Sequence, residues 1–158
     1  MKPQFDHEKL KVYQASLRFN GWVGDVLEEI KARAAVKDQL DRAATSIALN
    51  IAEGNGKFSR RDRARYFDIA RGSAVESASC LDVVASRKLA TVERMAEGKE
   101  ILFEVVSMLM GLLKGLGYFG EDEMVRLRED GGTDAEASVC EAVRYSSGKS
   151  KSRSKSKR

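Results

Sequence analysis

Apolar residues recur at helical spacing in four stretches of this chain, separated by short runs rich in glycine, serine and threonine. The first runs from about His7 to Arg33, with Leu10, Tyr13, Leu17, Trp22, Val26 and Ile30 as its apolar positions and Asp6 as the expected N-cap. Gly21 and Gly24 lower its helix propensity and leave room for a neighbour to come close. The second, from about Val36 to Glu53, carries an inner stripe of Leu40, Ala43, Ala44, Ile47 and Ile51. Gly54 and Gly56 follow it, suited to the positive φ that commonly closes a helix. Ser59 then offers a hydroxyl cap, and Asp62 completes an S-x-x-D pattern that opens a third helix. Its inner stripe is Phe67, Ala70, Ala74, Ser77, Leu81 and Val84, ending near Lys88. Thr91 caps a fourth helix that reaches about Leu116. Four such segments predict an all-α, four-helix domain over residues 1–118.

The fourth helix carries more apolar surface than one core requires. Ile101, Leu102, Val105, Val106, Leu109, Met110, Leu112 and Leu113 span about 220° of its circumference, where a surface helix needs a stripe of about 100°. A four-helix protein has no central helix to bury such an arc. A second apolar face packed against another subunit is therefore expected.

After "GLGYFG" the pattern weakens. Residues 119–145 read as an acidic, weakly helical extension, and residues 146–158 as a low-complexity, disordered basic tail. The net charge of +4 is correspondingly uneven. The tail holds six cations, Lys149, Lys151, Arg153, Lys155, Lys157 and Arg158, and no acidic residue. Between Glu121 and Arg144 eight acidic residues face three basic ones. The first 120 residues are left with +3, so the alkaline character belongs mainly to the tail.

At 158 residues the chain suits one domain, and its single proline, Pro3, leaves long helices unhindered. Cys80 and Cys140 fit no metal-ligand or CxxC spacing and read as free thiols of a reducing compartment. "MKPQFDHEKL" lacks the apolar core of a secretory signal, and "ILFEVVSMLMGLLKGLG" is interrupted by Glu104 and Lys114 and too short to span a membrane. A cytoplasmic protein is expected.

Candidate chemistry is sparse. His7, the only histidine, stands at a helix start without a nucleophile or acid beside it in sequence. One histidine cannot furnish the paired E-x-x-H of a di-iron bundle, and "GNG" matches neither phosphate-loop pattern. No cofactor, metal site or catalytic residue is expected. Binding remains: Lys57, Arg60, Arg61, Arg63, Arg65 and Arg71 outnumber Asp62 and Asp68 by four within fifteen residues. Arg60, Arg61, Arg65 and Arg71 fall within about 140° of one helix face, away from the inner stripe. Phosphate contacts from Lys57, these arginines and the flexible tail would hold RNA or DNA without reading its sequence.

"QLDRAATSIALNIAEG", "FSRRDRARYFDIARGSAVES" and "MLMGLLKGL" resemble the bacterial four-helix-bundle family of 23S rRNA intervening-sequence proteins. Gln39, Arg42, Ser46, Asn50, Glu53, Gly54, Ser59, Asp62, Gly72, Ser73 and Glu76 match its pattern position by position, over about residues 5–117. Tyr66 departs from it, standing where arginine is common and where an ion pair would form. The resemblance implies an up-down bundle that assembles as a cyclic homopentamer. A related bundle is an accessory protein to reverse transcriptases of diversity-generating retroelements, where it binds nucleic acid and the polymerase. For most members no biochemical activity is established.

Two functions stay open on these grounds: sequence-independent nucleic-acid binding, or a protein–protein assembly adaptor, for example for a reverse transcriptase, with nucleic acid incidental. A structural protein without a ligand is a third. Among the matching residues, folding about Lys57 sets Arg42 opposite Gly72 and within a turn of Glu76. An Arg42–Glu76 pair would then fix the helix register, with Gly72 and Ser73 permitting close approach. Asn50, near the inner edge of its helix, needs a hydrogen-bond partner in the corner or on the third helix. Glu53, in a last turn that disfavours carboxylates, is expected to accept from corner amides or an arginine.

Overall fold

A 3-10 turn, Asp6–Lys9, leads the chain into the first long helix, and the Glu8 carboxylate holds it by accepting from the Phe5 amide at 2.9 Å. Four α-helices follow: α1 (Lys11–Glu29), α2 (Ala35–Gly56), α3 (Arg60–Ser86) and α4 (Val92–Gly115). The computed structural model describes residues 3–118, Arg33 apart; the acidic extension and the basic tail lie outside them. No helix of the described residues is long and apolar enough to cross a membrane.

Each helix packs on two neighbours in the cyclic order α1, α2, α3, α4, and the diagonal pairs do not meet. Cross-links between neighbours join residues equally distant from each connection, so successive helices run antiparallel. Asn20 meets Ala44 across α1 and α2, Ser46 meets Ser73 across α2 and α3, and Lys99 meets Asp82 across α3 and α4. The expected up-down four-helix bundle is the observed one.

The core is a column of Phe19, Val23 and Val26 from α1, Leu40, Ile47 and Ile51 from α2, Phe67, Leu81 and Val84 from α3, and Leu102, Val105, Leu109 and Leu113 from α4. Each such side chain contributes roughly 1.5–3 kcal/mol through burial. The exposed ion pairs Arg18–Glu104 and Arg94–Glu29 along the α1–α4 seam contribute at most about 1 kcal/mol each. Apolar burial therefore holds the bundle, and the pairs chiefly orient it.

Both serine and threonine caps form. Ser59 Oγ accepts from the Asp62 amide at 3.3 Å, and Thr91 Oγ1 from the Arg94 amide at 3.2 Å. The inner stripes expected for α2 and α3 are buried throughout. The first helix differs: α1 starts at Lys11 with Leu10, not Asp6, at the cap, and stops at Glu29. Its buried face is Val12, Ala15, Ser16, Phe19, Val23 and Val26, whereas Leu17 is 47% exposed. Two apolar series overlap here, and the one with the more regular three-and-four spacing faces inward.

The glycines also act otherwise than expected. Helix α2 continues through Gly54 to Gly56, and neither has a positive φ. Gly54 is needed for proximity, since a Cβ there would stand 2.9 Å from the Phe67 ring and 3.0 Å from Tyr66 Cβ. Gly98 of α4 likewise admits the Trp22 ring. Gly72 has no atom within 4 Å of a Cβ position, so it lies on the open side of α3 rather than at a helix crossing. Gly21 and Gly24 face open space too.

Helices α3 and α4 end in the same device. Leu89 N–H reaches Val84 O and Lys88 N–H reaches Ala85 O, while Tyr118 N–H reaches Leu113 O and Gly117 N–H reaches Lys114 O. The turn requires a left-handed residue. Gly117 supplies it in one case (φ 72°) and Lys88 in the other (φ 56°).

On α4, Leu102, Val105, Leu109 and Leu113 are buried within the chain, and Ile101, Val106, Met110 and Leu112 are half-buried at its flanks. The four-helix core thus absorbs part of the wide apolar arc. Phe103 remains 65% exposed.

Candidate functional site

The residues shared with the family pattern gather along the α2–α3 pair and its corner, Lys57–Ser59. The Ser46–Ser73 contact centres the α2–α3 reversal near Ser59 rather than on Lys57, and so sets Arg42 level with Ser77, next to Glu76. Arg42 does not meet Glu76. Gln39 stands between them, donating to the Glu76 carboxylate and accepting from Arg42, so the expected ion pair becomes a relay through an amide. Ser73 is buried and its hydroxyl lies 2.8 Å from that of Ser46. Asn50 donates to Ser46 O at 2.8 Å and Ser46 Oγ at 3.0 Å. Its partner is thus on its own helix, and Ser46 carries the link to α3.

At the corner the Glu53 carboxylate pairs with Lys57 at 3.0 Å, and the Lys57 ammonium lies 4.7 Å from the Tyr66 ring centroid. The Tyr66 hydrogen bond, and then Lys57, hold the Glu53 carboxyl below its ordinary range; Glu53 in turn raises Lys57. The partner of Glu53 is thus Lys57 of its own corner, where corner amides or an arginine across an interface were expected. Asn20, which sequence reasoning passed over, ties α1 to α2 by donating to Ser16 O at 2.9 Å and Ala44 O at 3.0 Å.

The structure divides the arginines of α3. Arg71 is neutralised by Asp68, with Nη2 at 2.8 Å, and Asp68 also accepts from Tyr118 at 3.1 Å. Arg60 donates to Gly115 O at 3.4 Å, placing its charge at the negative end of α4. Arg61 and Arg65, one turn apart, are exposed and have no carboxylate partner among the described residues. Arg63, which the face pattern leaves aside, turns into the corner and donates from Nη2 to Asn55 O at 3.4 Å and Lys57 O at 3.0 Å. Lys149, Lys151, Arg153, Lys155, Lys157, Arg158 and Cys140 lie outside the described residues. Cys80 is a buried free thiol, and burial, then Glu76, push its pKa up.

Fold and site together define an up-down four-helix bundle with a polar seam between α2 and α3 and a basic outer face at the start of α3. The chain belongs to the 23S rRNA-intervening sequence protein family, whose model matches residues 8–111. A solved structure from Bacteroides thetaiotaomicron, of a protein with unknown function from the S23 ribosomal protein family, shares the fold with a TM-score of 0.63 at 24% identity. The match covers 65% of this chain and 98% of that one. Among curated proteins none matches this sequence.

Proposed function

We propose that the chain is a non-enzymatic bundle that assembles as a cyclic homo-oligomer, a pentamer by family resemblance, and holds RNA or DNA through backbone contacts. The observation that carries the binding is the pair Arg61 and Arg65, exposed on the first turns of α3 without a carboxylate partner among the described residues. The positive end of the helix dipole adds to their field. Lys57 and Arg71, each held by a carboxylate, contribute less than charge counting implies; Arg60 keeps its full charge beside them. The tail cations, from Lys149 to Arg158, extend the contact along a backbone. In a ring each patch is repeated, so weak phosphate contacts multiply.

Assembly is supported by apolar residues on the outside. The register sets Leu49, 64% exposed, level with Ile69, 41% exposed, and open Gly72 lies beside Ile69 on α3. Phe103 adds a second apolar point on α4. These same residues favour a second reading, an adaptor for another protein such as a reverse transcriptase. Anisotropy of labelled oligonucleotides with the full chain separates the two. Arg61→Gln/Arg65→Gln weakens binding if α3 meets phosphates, and deletion of residues 146–158 weakens it further. Binding that ignores both changes supports the adaptor. A monomeric mass at micromolar concentration would contradict the ring.

A further inference from the structure

The 3-10 turn and the α2–α3 corner enclose a cleft of about 410 Å3, within the usual range for small-molecule sites. Its lining combines Phe5, His7 and Phe58 with Lys57, Arg63 and Asn55. We propose that this cleft seats one unpaired base of a single-stranded nucleic acid, stacked on Phe58 beside the Phe5–His7 pair, with Arg63 as its polar contact. The proposal rests on the reading of α3 as a phosphate-binding face and narrows its substrate to single strands.

Three observations carry it. Phe58 is 104% exposed, so its ring contributes nothing to the core and presents a whole face to a ligand. Phe5 and His7 are stacked with centroids 5.8 Å apart and planes 17° apart, and Tyr13 packs edge-on against His7 at 4.8 Å. That arrangement sets a second aromatic surface on the opposite element. Arg63 is pinned by two corner carbonyls through Nη2 and its Nε is sealed within the protein, so its guanidinium is a fixed wall of the cleft. No carboxylate among the described residues pairs with Arg63, and Asp6, the acidic residue of the lining, is taken by Lys9 at 2.8 Å.

The occupant follows from the mixture. An aromatic surface with a fixed guanidinium suits a flat, polar ring, and a base is free to enter only when it is unpaired. Arg60, Arg61 and Arg65 begin two residues beyond Phe58, so the cleft and the α3 face adjoin at one end of the bundle.

The test uses the full chain with labelled oligothymidylate and with a duplex of equal length. Stacking on an aromatic residue is worth about 1–3 kcal/mol per base, so Phe58→Leu should weaken single-strand binding about fivefold or more. Duplex binding should not change, and Phe58→Trp should hold the single strand at least as well as the native chain. If Phe58→Leu binds the single strand as tightly as the native chain while Arg61→Gln/Arg65→Gln weakens both ligands, the cleft is refuted and the helix-face reading stands. Absence of binding to either ligand at low salt refutes both. A Phe58→Leu chain with a smaller mass in solution and undiminished oligonucleotide binding assigns Phe58 to a protein contact and overturns the proposal.

Discussion

Gly98→Ala sets two opposing effects against each other at the α1–α4 seam. Alanine is preferred over glycine in a helix interior by about 0.8–1.0 kcal/mol. The new Cβ, however, would stand 2.5 and 2.9 Å from Cζ3 and Cζ2 of Trp22, and closer still to Cη2. Ordinary carbon contacts lie at about 3.5–4.0 Å. The indole cannot simply swing away, because Phe19 stacks on it at 5.9 Å and the Arg94 guanidinium lies 5.1 Å from its centroid. Overpacking costs about 1–3 kcal/mol, and a displaced ring forfeits part of a stacking term of about 0.5–1.5 kcal/mol. After the propensity gain, a net loss of roughly 0.5–3 kcal/mol remains, lowering Tm by about 2–12 °C for a bundle of this size. Gly72→Ala is the control, since the same propensity gain meets open space and should raise Tm by about 4 °C. Circular dichroism gives the melting curves, and Trp22, the only tryptophan, reports its own surroundings by fluorescence. A Gly98→Ala chain that melts at or above the native temperature with unchanged emission would refute this account of the seam.

Lys88→Gly should stabilise the fold by about 0.5–1 kcal/mol, because Lys88 occupies the left-handed closing position of α3 that glycine occupies in α4; chemical denaturation measures it. Asn50→Asp removes the donor to Ser46 O and sets a carboxylate against a carbonyl, for an expected loss of roughly 1–3 kcal/mol read from the denaturation midpoint. Glu53, depressed by the Tyr66 hydroxyl and then Lys57, binds its proton less readily when folded than when unfolded. Its contribution is present above the ordinary carboxyl value of 4.5 and lost as pH falls through the lower, folded value. Melting followed across that interval should show a shallower acid loss in Glu53→Gln than in the native chain.

The parts of the fold most legible in the sequence were those set by spacing alone. Leu40 to Ile51 and Phe67 to Val84 occupy one face of their helices whatever the neighbours do, and Ser59 and Thr91 announce caps by position. Gly54 shows the limit: a glycine required by the Phe67 ring is indistinguishable in sequence from one required by a positive φ. Read as a stop, it ends α2 too early and centres the α2–α3 reversal on Lys57, while the Gln39 amide that intervenes between Arg42 and Glu76 carries no signal in the spacing. In α1, Leu17 was as periodic as Phe19, and packing chose between them. The basic face could be read as a charge pattern, but not that Asp68 neutralises Arg71 while Arg61 and Arg65 stay open. The cleft was hidden because Phe5 and Phe58 are far apart in the chain and line one cleft only when the 3-10 turn folds onto the corner.

The salt dependence of nucleic-acid affinity for the full chain and for Arg61→Gln/Arg65→Gln tests the central claim most directly. Each phosphate contact contributes about 0.9 to the slope of log affinity against log salt on duplex DNA. Loss of two contacts should flatten that slope by about 1.8 units for each bundle engaged, with affinities converging at high salt. An unchanged slope would show that the outer face of α3 does not meet the backbone.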